Sequence, residues 1–311
     1  MWLYTCAGNV EKREAGLSMH GWIRAMLTVV LAAGLWTATA PAAKADVEML
    51  MVPSAAMGRD IPVAFLGGGP HAVVLLDAFN ANPGVSNWVS AGNAMSTLAG
   101  KGISVAAPAG GAWSMYTNWE QDGSIQWETF LANELPDWLA ANKGLAPGGH
   151  GIVGAAQGGF GALAMAAFHP DRYRFAGSLS GVVAPERTGV DGAVTAGLAQ
   201  YGGLDIRNMW GLPQLGRWKW HSPNVHVQLL ADNNTRLWVW SPGAGSGCPD
   251  PAAMIGYCDI FAGTNREFYQ HYRSVGGHNA HFDLPPTGSH DWGSWSGQLA
   301  AMTGELVTTI K

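Results

Sequence analysis

Residues 151–170, GIVGAAQGGFGALAMAAFHP, constrain the fold more than any other stretch of the chain. A short apolar run, a turn rich in glycine and a run of small residues read as a buried strand, a sharp corner and a helix packed tightly against its neighbours. Such a corner presents the nucleophile of α/β hydrolases in the pattern Gly-x-Ser-x-Gly, where the strained turn demands small neighbours. Gly154, Ala155, Gly158 and Gly159 supply them, but the tip is Ala156. No Gly-x-Ser-x-Gly occurs anywhere in the 311 residues, and GSLSG at 177–181 has its serines at the wrong positions. The stretch also fits a loose dinucleotide pattern through Gly159, Gly161 and Ala164. It comes too late in the domain for that role, and no following strand ends on an acidic ribose clamp, so no cofactor is expected.

The remainder of the chain fits the same frame. Apolar runs at 47–54, 60–66, 72–78, 103–109, 151–156, 175–181 and 236–243 predict strands, several of them continuous as in sheets covered on both faces. Helical patterns fall at 92–100, 125–143, 158–168, 191–201, 265–274 and 292–309, with a kink expected at Pro136. Alternating strands and helices predict an α/β fold, a mostly parallel sheet with helices on both faces. Sites in such folds lie at the carboxyl ends of strands, here those ending near Asp77, Pro108 and Ala156.

Residues 1–45 read as a leader. Arg24 precedes the apolar run AMLTVVLAAGLW, and Ala43-Lys44-Ala45 suits signal peptidase, so cleavage is expected near Ala45. Met19 opens a cleaner signal sequence than Met1 does. A membrane anchor is the alternative, but the run is short for a span and no later stretch is long and apolar enough. Residues 46–311 suit a single α/β domain, secreted or associated with the cell wall. Only 13% of residues are charged, the formal net charge is −5, and no basic stripe is present, which argues against nucleic acid as a partner. Beyond the leader only Cys248 and Cys258 remain; export favours a disulfide between them, and a free pair is the alternative.

The segment SVGGHNAHFDLPPTGSHDWGSWSGQL, 274–299, holds three histidines. His278, His281 and Asp283 form only a weak metal pattern, and structural roles are expected for them. His290, ahead of the last helix, stands where hydrolases with the chain order serine, acid, histidine carry their base.

Four stretches, SAAMGRDIPVAFLGGGPHAVVLLDAFNANPGVSNW, LANELPDWLAAN, NNTRLWVW and GGHNAHFDLPPTGSHDW, resemble the mycobacterial antigen 85 mycolyltransferases, and most closely the catalytically silent, secreted antigen 51 type within that family. The resemblance covers essentially all of the chain beyond the leader. It implies an α/β-hydrolase fold and a site built for a Ser-Glu-His triad, whose positions fall on Ala156, Cys258 and His290. It further implies oxyanion amides at Phe79 and Gln157, a trehalose-binding aspartate at Asp77, an arginine replaced by Asn80, and Trp292 beside the histidine. A ligand such as trehalose or a glycolipid headgroup, and the host matrix protein fibronectin, are the partners implied. The family's fibronectin-contacting stretch matches MSTLAGKGISV, 95–105, which has no aromatic residue.

Acyl transfer needs an activated oxygen or sulfur, and a methyl group offers neither. Losing the nucleophile typically removes about six decades of rate. The expectation is a secreted, non-catalytic binding protein of the envelope. The alternatives are a mycolyltransferase or esterase of altered mechanism, with His290 activating water or Cys258 attacking, and a structural protein whose crevice has collapsed.

Overall fold

The apolar runs become β1 (Glu48–Ser54), β2 (Arg59–Leu66), β3 (Ala72–Leu76), β4 (Ser104–Pro108), β5 (His150–Ala155), β6 (Tyr173–Leu179), β7 (Arg236–Trp240) and β8 (Ala280–Asp283). The computed structural model describes residues 46–243 and 257–311, the side chains of Tyr257 and Cys258 excepted. The expected leader and its cleavage position, and Cys248, lie outside the described residues. The strands pair in the order β1-β2-β4-β3-β5-β6-β7-β8. Only β2 runs antiparallel to its neighbours; β3 to β8 are mutually parallel. Every residue of β3, β4 and β5 is buried, which explains their continuous apolar character.

Helices cover both faces. On one side the helices Leu135–Lys143, Gln157–Phe168 and Val227–Asp232 pack with Tyr257–Ser274 through Leu135, Leu163, Leu230 and Phe268. On the other, Asn87–Ser90, Ala94–Leu98 and Trp292–Ile310 contribute Trp88, Leu98, Trp295, Leu299 and Leu306. This is the α/β-hydrolase architecture. The helix expected over 92–100 is shorter, Ala94–Leu98, and a separate short helix, Asn87–Ser90, precedes it, the two divided by Asn93, which takes φ 48°. Pro136 falls inside a continuous helical run: Phe130–Glu134 forms a π-helical turn directly before the helix Leu135–Lys143, and the Leu131 carbonyl, which at π spacing would face the missing Pro136 N–H, accepts from the Tyr173 hydroxyl at 2.6 Å.

β3 lies between β4 and β5, so the chain leaves it to opposite sides. A crevice outside the carboxyl ends of β3 and β5 is the location such a switch point creates for ligands. Over that end sits a third apolar cluster that the sequence periodicity did not announce. Helix Val190–Gln200 and the short helices Arg207–Trp210 and Trp218–His221 bring Val194, Leu198, Trp210 and Trp218 together with Phe79, Trp113 and Phe160.

Candidate functional site

Ala156, between β5 and the helix Gln157–Phe168, adopts φ 50° and ψ −114°. For a residue with a Cβ this backbone is strained by about 1–3 kcal/mol, and its surroundings must hold it. They do so through close approach: a Cβ on Gly154 would lie 2.1 Å from the Gly158 carbonyl, and one on Gly158 would lie 2.5 Å from the Leu76 carbonyl oxygen. The Ala156 N–H donates to Leu179 O at 2.9 Å, and its carbonyl accepts from Gly159 N at 3.0 Å. The corner is thus a complete nucleophile elbow whose tip is a methyl group. As the first helical residue, Gln157 has a backbone N–H with no intrahelical acceptor, as an oxyanion donor requires.

The Gln157 side chain is turned to an internal task. Fully buried, it donates to Gly111 O at 2.8 Å and Ala78 O at 3.1 Å and accepts from Met115 N at 3.1 Å. It thereby ties the loops after β3 and β4 to the elbow. The second loop is itself strained, with positive φ at Trp113, Met115 and Tyr116. Strain therefore gathers around the elbow on two elements. The Tyr116 phenol accepts from Asp77 N at 2.9 Å, and the Phe79 ring tilts against Trp113 at 4.9 Å.

Asp77, just past β3, has no exposed surface. Its Oδ1 accepts from Ser86 Oγ at 2.8 Å and Trp88 N at 3.1 Å, capping the helix Asn87–Ser90, while Oδ2 is buried without a partner among the described residues. Burial lifts the carboxyl to about 6, against the lowering pull of the Ser86 hydroxyl and the adjacent N–H groups. Asn80 is exposed and Trp292 half-buried, so these two positions face solvent more than the others expected to meet a ligand.

His290 is 5% exposed. Phe261 stacks on its ring at 5.0 Å, Trp295 meets it edge-on at 4.9 Å, and Nδ1 finds no partner among the described residues. Burial lowers its pKa to about 4, with the Asp291 carboxylate pulling the other way, so the imidazole is neutral at pH 7. Trp292 stands T-shaped to Trp88 at 5.2 Å and to Trp295 at 5.0 Å, which fixes the loop that carries the histidine.

The esterase family profile matches residues 54–306. The MPT51/MPB51 antigen of Mycobacterium tuberculosis is 66% identical over 293 residues, 93% of this chain and 98% of its own length. This chain belongs to the MPT51–antigen 85 esterase family. The Ag85B diacylglycerol acyltransferase/mycolyltransferase of Mycolicibacterium smegmatis, a more distant member, is 38% identical over 278 residues, 84% of each chain. The crystal structure of Mycobacterium tuberculosis MPT51 superposes with a TM-score of 0.83 at 69% identity, covering 86% of this chain and all of that one. An S-formylglutathione hydrolase of Agrobacterium tumefaciens, at 14% identity and a TM-score of 0.65, shares the fold.

Cys258 falls in the helix Tyr257–Ser274, its side chain outside the described residues, so neither its place opposite His290 nor a bond to Cys248 is described. His281 stacks on Trp238 at 3.9 Å and His278 bonds to Gly276 O; among the described residues no group of three His, Cys, Asp or Glu could hold a metal. Of 95–105, Met95, Leu98 and Ile103 are buried, leaving small side chains and Lys101 at the surface. No helix among the described residues is long and apolar enough to cross a membrane. Sequence reasoning missed the strained loop 111–116 and its bonds to Gln157; the aromatic run AWSMYTNW directly after β4 was the available signal.

Proposed function

We propose that this member of the family is an exported, non-catalytic protein that uses the crevice above the elbow to bind a small hydroxylated ligand, such as trehalose or a glycolipid headgroup. One observation carries the reading: the tip of an otherwise complete elbow is Ala156, which has no atom that can be acylated. The buried Asp77 Oδ2 and His290 Nδ1, both without partners among the described residues, are polar atoms of the kind a hydroxyl would satisfy, and Asn80 and Trp292 stand nearer to solvent. Because Asp77 is sealed, a ligand reaches it only if the loop carrying Asn80 and Ser86 opens. An altered mechanism through His290 is disfavoured: an imidazole held near pKa 4 is a weak base for activating water at neutral pH. Fibronectin contact through 95–105 gains no support from a stretch whose large apolar side chains are buried.

Titration with trehalose, followed by tryptophan fluorescence and NMR, tests the binding. Saturable shifts at Trp292 and Asn80 are expected, and their absence up to high millimolar sugar would remove the crevice as a binding site. In parallel, ester and trehalose mycolate turnover should stay at background. Turnover well above it that disappears in His290→Ala would show catalysis and sink the non-catalytic reading.

A further inference from the structure

Far along the sheet from the elbow strand, the edge formed by β8 borders an open pocket of about 530 Å³ lined by Tyr269, Tyr272, Arg273, His281, Phe282 and Leu284. Its volume lies within the range of small-molecule sites. One wall is aromatic: Tyr269, 39% exposed, stands T-shaped to Phe282 at 4.9 Å, and Tyr272 tilts against the same ring at 5.7 Å. The opposite chemistry comes from Arg273, an exposed residue whose Nη1 donates to Gly277 O at 3.0 Å and which forms no ion pair among the described residues. His281, stacked on Trp238, completes the lining. A guanidinium fixed on one side and free on the other presents a fork suited to a carboxylate or phosphate, and the flat ring beside it offers a face for the apolar C–H side of a sugar ring.

We infer that this pocket at the β8 edge is a second ligand site, separate from the elbow crevice, that takes an anionic saccharide: a sugar carrying a phosphate or carboxylate. The anion pairs with Arg273 while the sugar ring lies on Tyr269.

NMR titration of the purified protein with glucose 6-phosphate, glucuronate, glucose and inorganic phosphate tests it. The two charged sugars should give saturable shifts at Tyr269, Phe282 and His281, with the tighter one revealing which anion the fork prefers, and glucose and inorganic phosphate should each bind about tenfold or more weaker. Arg273→Ala should weaken the charged sugars by about tenfold or more, Arg273→Lys by less, and Tyr269→Ala should weaken them while leaving inorganic phosphate unchanged. The inference fails if neither charged sugar shifts those residues, if shifts appear only at Trp292 and Asn80, if inorganic phosphate binds as tightly as glucose 6-phosphate, or if Arg273→Ala changes nothing.

Discussion

At Ala156 the chain keeps a costly backbone without the side chain that gives such a backbone its use. The surrounding glycines explain how it persists, and they make a sharp contrast testable. Gly154→Ala should cost about 3 kcal/mol or more in urea denaturation, because the new Cβ meets backbone that cannot move aside. Ala156→Gly should stay within about 1 kcal/mol, relief of φ strain offsetting the lost burial of a methyl group. The two buried titratable groups of the crevice act in opposite directions on stability. Asp77, raised from 3.8 to about 6, contributes stability below pH 4 that is lost as pH climbs through 6. His290, lowered from 6.5 to about 4, contributes stability above pH 6.5 that is lost as pH falls through 4. Each is of the order of 3 kcal/mol at most. Asp77→Asn should therefore raise stability at pH 7 relative to pH 4 when compared with the unmodified chain, and His290→Phe should flatten the acid limb; unfolding curves at pH 4, 5.5 and 7 check both. The small residues of the elbow were legible in the sequence because close packing leaves a compositional trace. Burial of Asp77 was not, since it depends on Ser86 and Trp88 folding back over the end of β3.

Among the elements, the strands were read well wherever burial on both faces produced unbroken apolar runs, as in β3 and β5. The helix Trp292–Ile310 was legible from its spaced apolar residues Trp295, Leu299, Met302 and Leu306. Short helices such as Arg207–Trp210 left no such period, being too brief to repeat a face. The π-helical turn beside Pro136 left no trace in the periodicity, because it widens only a single turn. The loop 111–116 is held to the elbow by one side chain. Gln157→Ala removes three hydrogen bonds and leaves the Met115 N–H and Ala78 O to find water, while Gly111 O keeps the Ser114 hydroxyl, so the loss should be about 1–3 kcal/mol, with faster hydrogen exchange at Met115 than in the sheet.

For the molecule as a whole, the order of strands places β3 beside both β4 and β5, the switch point at which such sheets seat ligands, regardless of what the elbow carries. Architecture and chemistry are thereby separable, which is why a family can retain one while a member departs from the other. Ala156→Ser with Cys258→Glu tests that separation. Measurable ester hydrolysis in the double variant, absent from either single one, is expected if crevice geometry alone suffices; activity in neither would mean that the surrounding loops have also drifted.

The strained corner at Ala156 also bears on descent. Any alanine codon becomes a serine codon by one base change, so an intact corner leaves the hydroxyl a single mutation away. The codon at Cys258, the position matched to the acid, differs from every glutamate codon at all three bases. On the non-catalytic reading proposed above, a serine regained at the corner restores nothing until an acid also returns, so the reversal is far harder than the corner alone suggests.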